Sequence, residues 1–131
     1  MKLKDLAKKT SLISVLYIED DKYLRLQNAE LFKTLFKSVD LADNGLDAIR
    51  LYEKNRYNLI ITDINIPNIN GIDVIKKIKK QNPKQAILIT TVFNKSEWEK
   101  ELNTLGSYHY LTKPLKTDTL LRAIEDILAT I

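Results

Sequence analysis

The sequence predicts an α/β protein built on a doubly wound, five-stranded parallel sheet with five helices. Three observations predict it. Five short apolar runs recur along the chain, several of them continuous, as strands covered on both faces require. Between them lie segments with apolar residues at helical spacing. Turn-forming residues separate the two kinds of segment.

The runs at 13–18, 39–42, 59–62, 86–92 and 108–112 read as strands. The first helical segment spans about 22–37, with Leu24, Leu31 and Leu35 on one stripe and Asp21 as its cap. Leu46, Ile49, Leu51 and Tyr52 mark the second; Ile72, Ile75 and Ile78 mark the third. Trp98, Leu102 and Leu105 mark the fourth, opened by a capping box at Ser96-Glu97-Trp98-Glu99. Leu120, Leu121, Ile124, Leu128 and Ile131 mark the last. Asn44-Gly45, Pro67, Gly71, Asn82-Pro83, Gly106 and Pro114 punctuate the series. Five β-α units are too few for an eight-stranded barrel. An open, flavodoxin-like sheet of order 2-1-3-4-5 follows, with its site beyond the carboxyl ends of strands 1 and 3.

The chain has 131 residues, which fits one domain over 13–131 with an N-terminal extension at 1–12. The extension is basic and reads as a short amphipathic helix or an arm. No cysteine is present, which excludes disulfides, thiolate metal sites and a cysteine nucleophile. No apolar stretch approaches the roughly 20 residues of a membrane span. The net charge is +4, partly from Lys76, Lys77, Lys79 and Lys80. Apolar residues punctuate that run at helical spacing, so it reads as a solvated helix face and not as a nucleic-acid patch. His109, the one histidine, reads as structural.

The predicted strand ends collect chemistry. Strand 1 ends in Glu19-Asp20-Asp21, strand 3 in Asp63, strand 4 near Thr90-Thr91, and strand 5 in Lys113-Pro114. Each alone has a plain explanation: acids after a strand cap helices, and threonines satisfy themselves locally. Placed on one edge they mean more. Converging carboxylates need a shared proton or a cation. With oxygen donors alone, that cation is hard: Mg²⁺, with Mn²⁺ or Ca²⁺ able to substitute. Neither Gly-rich phosphate-binding motif occurs, and the loop after strand 1 is acidic, so a bound nucleotide is disfavoured there. Phosphate can arrive instead as a group transferred to a carboxylate, with Lys113, Thr90 and the metal on its oxygens.

These residues resemble those of two-component response regulator receiver domains. Val15-Leu-Tyr-Ile-Glu19-Asp20-Asp21 is similar to the family's strand 1, the segment from Asp63 to Gly71 to its phosphoacceptor loop, Leu88-Ile-Thr90-Thr91 to strand 4, and Tyr110-Leu-Thr-Lys113-Pro114 to strand 5. The resemblance implies that Asp63 accepts phosphate. Asp20 would bind the metal directly and Glu19 through water, with a backbone carbonyl from Asn65. Thr90 and Lys113 would hold phosphate oxygens, Tyr110 would be the switching aromatic, and the Lys113–Pro114 bond would be cis. Thr91 and Val92 depart from the commonest pattern, which bears on phosphoryl lifetime; Asn65 can orient an attacking water.

The implied protein is a cytoplasmic signalling switch and no enzyme beyond slow self-dephosphorylation. Its implied partners are a sensor histidine kinase or phosphotransfer protein and an output protein or covalent output domain, with no nucleic-acid contact of its own. A dimer can form through the fourth helix, strand 5 and the fifth helix. The alternatives are a receiver cut from a longer DNA-binding regulator, a degenerate receiver that only binds proteins, and an aspartyl-phosphate phosphatase. Asp63-Ile-Asn65 lacks the second aspartate that the phosphatase requires.

Overall fold

A computed structural model describes residues 3–92, 95–105 and 108–131. The elements run α1 (Leu3–Thr10), β1 (Ser14–Ile18), α2 (Lys22–Leu35), β2 (Ser38–Ala42), α3 (Gly45–Lys54), β3 (Leu59–Asp63), α4 (Gly71–Gln81), β4 (Ala86–Thr91), α5 (Lys95–Leu102), a 3₁₀ turn (Asn103–Leu105), β5 (His109–Thr112) and α6 (Thr117–Leu128). All strands are parallel, in the order β2-β1-β3-β4-β5. The expected sheet is the observed one.

Continuous apolar runs lie at the centre of this sheet because both faces are covered. Every residue of β3 is buried. Its Ile60 faces one core with Leu16, Ile75 and Ile89, while Ile61 faces the other with Tyr17, Phe32 and Ile124. Alternation along the strand therefore assigns each side chain to a layer without leaving any in water. Local chemistry starts the helices at the carboxyl edge. Asp21 accepts from the Leu24 N–H at 3.0 Å, Asn44 from Asp47 at 2.9 Å and Asn70 from Asp73 at 3.0 Å. The side chains of Ser96 and Glu97, and Gly106, lie outside the described residues.

The sequence reading needs correcting in four places. Among the described residues there are six α-helices and not five, because α1 is a docked helix. Eight residues are too few to be helical on their own. Leu6, only 2% exposed, enters the core shared with Leu35, Ile124 and Ile127. Thr10 is fully buried, and its Oγ1 donates to the Leu35 carbonyl in the last turn of α2. Second, α2, expected over about 22–37, stops at Leu35. Third, Leu46 and Ile131 are exposed although they fit the apolar stripes, and Ile127 is buried instead. Leu46 sits in the first turn of α3, and Ile131 lies past the end of α6. Fourth, the lysine run is not wholly solvated. Lys79 is buried and donates to the carbonyls of Gln85 (2.8 Å) and Pro83 (3.3 Å). No helix among the described residues is long and apolar enough to cross a membrane.

Candidate functional site

The parallel register lines up the strand ends. Asp63, the last residue of β3, pairs with Thr90 of β4, and Thr91 pairs with Thr112 of β5. The next residue, Lys113, donates its N–H to the Thr91 carbonyl at 2.8 Å. The chain leaves β1 through Glu19, which is 1% exposed, and Asp20, which is exposed. One edge thus collects residues from four strands.

Lys113 holds the cluster together. Its Nζ donates to Asp63 Oδ2 at 2.7 Å and to Glu19 Oε1 at 2.5 Å. Burial works against the ammonium charge, but the bonds to Asp63 and Glu19 outweigh it and raise the Lys113 pKa above its ordinary value. Glu19 is pushed up by burial, against the opposing pull of Lys113. Carboxylate oxygens of Glu19, Asp20 and Asp63 lie within 4.8 Å of one another. An all-oxygen set of this span suits a hard cation such as Mg²⁺. The hydroxyl of Thr90 adds a second sign: Oγ1 is buried, beside Asp63 in register, and makes no hydrogen bond. A buried hydroxyl without a partner costs free energy, and this one is placed to donate to an acceptor that arrives beside Asp63.

The surrounding backbone is arranged for the same edge. The Asn65 N–H donates to Asp63 Oδ1 at 3.2 Å, and the Asn65 side chain is exposed. Asn68 adopts a left-handed φ of 69°, which suits asparagine, and lets the loop turn back toward α4. At Gly71 a Cβ would lie 2.2 Å from the Asp63 carbonyl oxygen, so only glycine fits beneath the aspartate. The Lys113–Pro114 bond is cis. Tyr110 is 41% exposed, its ring 5.6 Å from that of Trp98 and nearly perpendicular to it. Thr91 is buried and Val92 is 65% exposed.

Sequence reasoning missed two contributors. Arg25, on the first turns of α2, donates to the carbonyls of Glu19 (2.9 Å) and Asp20 (3.3 Å) and so fastens the acidic loop. A basic residue one turn into the helix after an acidic loop was the available signal. Tyr17, under Glu19 in β1, accepts from Asn28 Nδ2 at 2.9 Å; burial raises its pKa to about 12. Nothing in the pattern distinguishes that tyrosine from an ordinary core residue.

Comparison with known proteins agrees with this geometry. The family model for the response regulator receiver domain matches residues 15–125. The chemotaxis protein CheY of Halobacterium salinarum is 29% identical over 114 residues, which cover 87% of this chain and 95% of that protein. The transcriptional regulatory protein CusR of Escherichia coli is 37% identical over 90 residues, 69% of this chain but 40% of CusR. For ZraR of Klebsiella oxytoca the match covers 26% of that regulator, so the chain spans less than half of either. Among solved structures, Vibrio cholerae CheY4 superposes with a TM-score of 0.80 at 26% identity, covering 89% of this chain and 99% of CheY4. A receiver domain protein of Methanospirillum hungatei shares the fold at TM-score 0.84 and 23% identity, covering 91% and 95%.

Proposed function

Because the chain belongs to the response regulator receiver domains of two-component systems, we propose that it is a phosphorylation-dependent switch whose acceptor is Asp63. The observation that carries this reading is the pairing of a partly buried lysine, Lys113, bridging Glu19 and Asp63 with an unsatisfied Thr90 hydroxyl next to Asp63. Receiver domains bind Mg²⁺ at an acidic pocket. In this chain Glu19, Asp20, Asp63 and the Asn65 carbonyl would hold it; Mn²⁺ or Ca²⁺ could substitute. When bound, the ion offsets negative charge on the transferring group.

The chain's own residues do the rest. One oxygen of the Asp63 carboxylate attacks phosphorus in line. The phosphorus–nitrogen bond of a phosphohistidine on the partner breaks, and the leaving imidazole nitrogen takes a proton from water. Lys113 exchanges a carboxylate oxygen of Asp63 for a phosphoryl oxygen. Thr90 gains the acceptor it lacks. Both contacts favour one arrangement of the β4 and β5 ends, and the equilibrium shifts by that difference in interaction and no further. Tyr110, half exposed against Trp98, turns inward as Thr90 moves, which changes the surface of α5, β5 and α6. That surface meets an output partner, a covalent output domain or a second copy of the chain. The length of CusR and ZraR relative to this chain favours keeping the covalent option.

The donor would be a sensor histidine kinase or phosphotransfer protein in the cytoplasm. A groove of about 710 Å³ beside Lys113, lined by Leu24, Leu31, Val92, Pro114 and Leu115, offers it apolar surface. Residues 13–131 would form the switch, with 1–12 as an N-terminal extension that carries α1 (Leu3–Thr10). Loss of the phosphoryl group is slow self-hydrolysis: Val92 supplies no polar group for the attacking water, and Asn65 is left to orient it.

Intact mass spectrometry after incubation with a small phosphodonor and Mg²⁺ tests the proposal. One phosphoryl adduct is expected in the wild type and none in Asp63→Asn. An adduct that persists in Asp63→Asn would remove Asp63 as the acceptor.

A further inference from the structure

We propose that Gly45 is a positioning residue for the phosphoacceptor loop, setting where the Asn65 carbonyl stands relative to the three carboxylates. The inference rests on the metal-assisted phosphoacceptor reading above. In the sequence Asn44-Gly45 is turn punctuation; in the structure the glycine opens α3 and is pressed against the segment that follows Asp63.

The contacts are with backbone. The Gly45 N–H donates to the Pro67 carbonyl at 3.0 Å. A Cβ on Gly45 would lie 2.0 Å from the Ile69 carbonyl oxygen and 2.9 Å from Ile69 C and Cβ. Gly45 does not have a left-handed φ, so alanine is disfavoured by contact and not by backbone conformation. Clearing the carbonyl requires a shift of about 1 Å, since real Cβ atoms essentially never come closer than 3.0 Å.

The neighbours determine what moves. Behind Gly45, Ala48 and Ile49 bury α3 in the core, so the helix is held. At the far end of the loop the Gly71 N–H donates to the Ile64 carbonyl at 2.7 Å, and Gly71 lies against Asp63 O. The displacement therefore falls on residues 65–70. That stretch includes Asn65, whose N–H holds Asp63 Oδ1 and whose carbonyl is the proposed fourth metal ligand. Groups that orient ligands from behind commonly contribute 10- to 100-fold to metal affinity.

The test measures Mg²⁺ affinity by isothermal titration calorimetry and folding by thermal unfolding. Gly45→Ala is expected to weaken Mg²⁺ binding about 10-fold in protein that remains folded. Asn44→Ala removes the cap of the same helix without adding an atom against the loop. It is expected to lower Tm and to leave the Mg²⁺ Kd within about two-fold. If Gly45→Ala fails to fold, Ile69→Ala, which loosens the same loop from the core, is expected to weaken Mg²⁺ several-fold. An unchanged Kd in folded Gly45→Ala, or in Ile69→Ala where the former does not fold, overturns the assignment. Equal weakening in Asn44→Ala also overturns it, by reducing Gly45 to a helix-stability residue. A wild-type chain that neither binds Mg²⁺ nor takes a phosphoryl group sinks the parent reading; a wild type that does both, with an indifferent Gly45→Ala, sinks this inference alone.

Discussion

Two lysines at opposite ends of the sheet, Lys113 partly buried and Lys79 buried, meet opposite environments. Lys113, at the carboxyl edge, lies between two carboxylates, and these hold it as a cation. Lys79, near the amino edge in the last turns of α4, donates to neutral carbonyls of Pro83 and Gln85, and burial lowers its pKa. A cation held by charges can change partners when a new anion arrives. A cation held by backbone carbonyls fastens a turn and has nothing to exchange. The same residue type is placed to exchange partners at one end and to brace a turn at the other.

The largest expected effect breaks the charge arrangement. Lys113→Ala leaves the buried Glu19 and Asp63 carboxylates facing each other and should cost about 3–4 kcal/mol in the absence of metal. Mg²⁺ should recover a good part of that, because a hard cation supplies the missing charge. Urea unfolding with and without Mg²⁺ measures both. No recovery would mean that the carboxylates do not share a cation site.

The next effect is read through pH. The Tyr17 pKa rises from 10.0 to about 12 in the folded protein. The unfolded chain therefore loses this proton first. The stability linked to it is fully present below pH 10 and is lost as pH rises toward 12, about 2–3 kcal/mol in all. Tyr17→Phe should remove that part of the alkaline slope. Unfolding free energies at pH 8 and pH 11 compare the two proteins, and identical slopes would refute the shift.

Lys79→Met should cost about 1–2 kcal/mol, through carbonyls left without their donor. This cost should be indifferent to Mg²⁺, and phosphoryl incorporation should be unchanged. A Mg²⁺-dependent loss here would erase the contrast between the two ends. Thr90→Val should produce the smallest change in stability, within about 1 kcal/mol and in either direction, since the hydroxyl has no partner to lose. Phosphorylation of the wild type is expected to change Trp98 fluorescence as Tyr110 leaves its ring, and Thr90→Val should abolish that change. Retention of that change would place the switch elsewhere.

Much of the site was legible because it obeys the rule for open parallel sheets. Once the strand order was inferred, Glu19, Asp20, Asp63, Thr90 and Lys113 had to share an edge, whatever each does alone. Helix α1 was legible only as one of two options, an amphipathic helix or an arm, since a helix that short is decided by what it packs on. Nor was the burial of Lys79, which fits the solvated face of its helix by spacing. Arg25 and Gly45 act on backbone atoms, and contacts to backbone leave no mark in side-chain pattern.

The amino-acid sequence by itself determined the alternation of strands and helices, the order of the sheet and the chemistry gathered at its carboxyl edge. Periodicity, turn residues and the geometry of parallel connections suffice for these. Only the tertiary structure decided which charges meet, that Lys113 bridges two carboxylates and that Thr90 has no partner. It also decided that α3 reaches the loop after Asp63 through a glycine. Those outcomes depend on distances of a few ångströms between segments far apart in the chain, and local pattern carries no information at that scale.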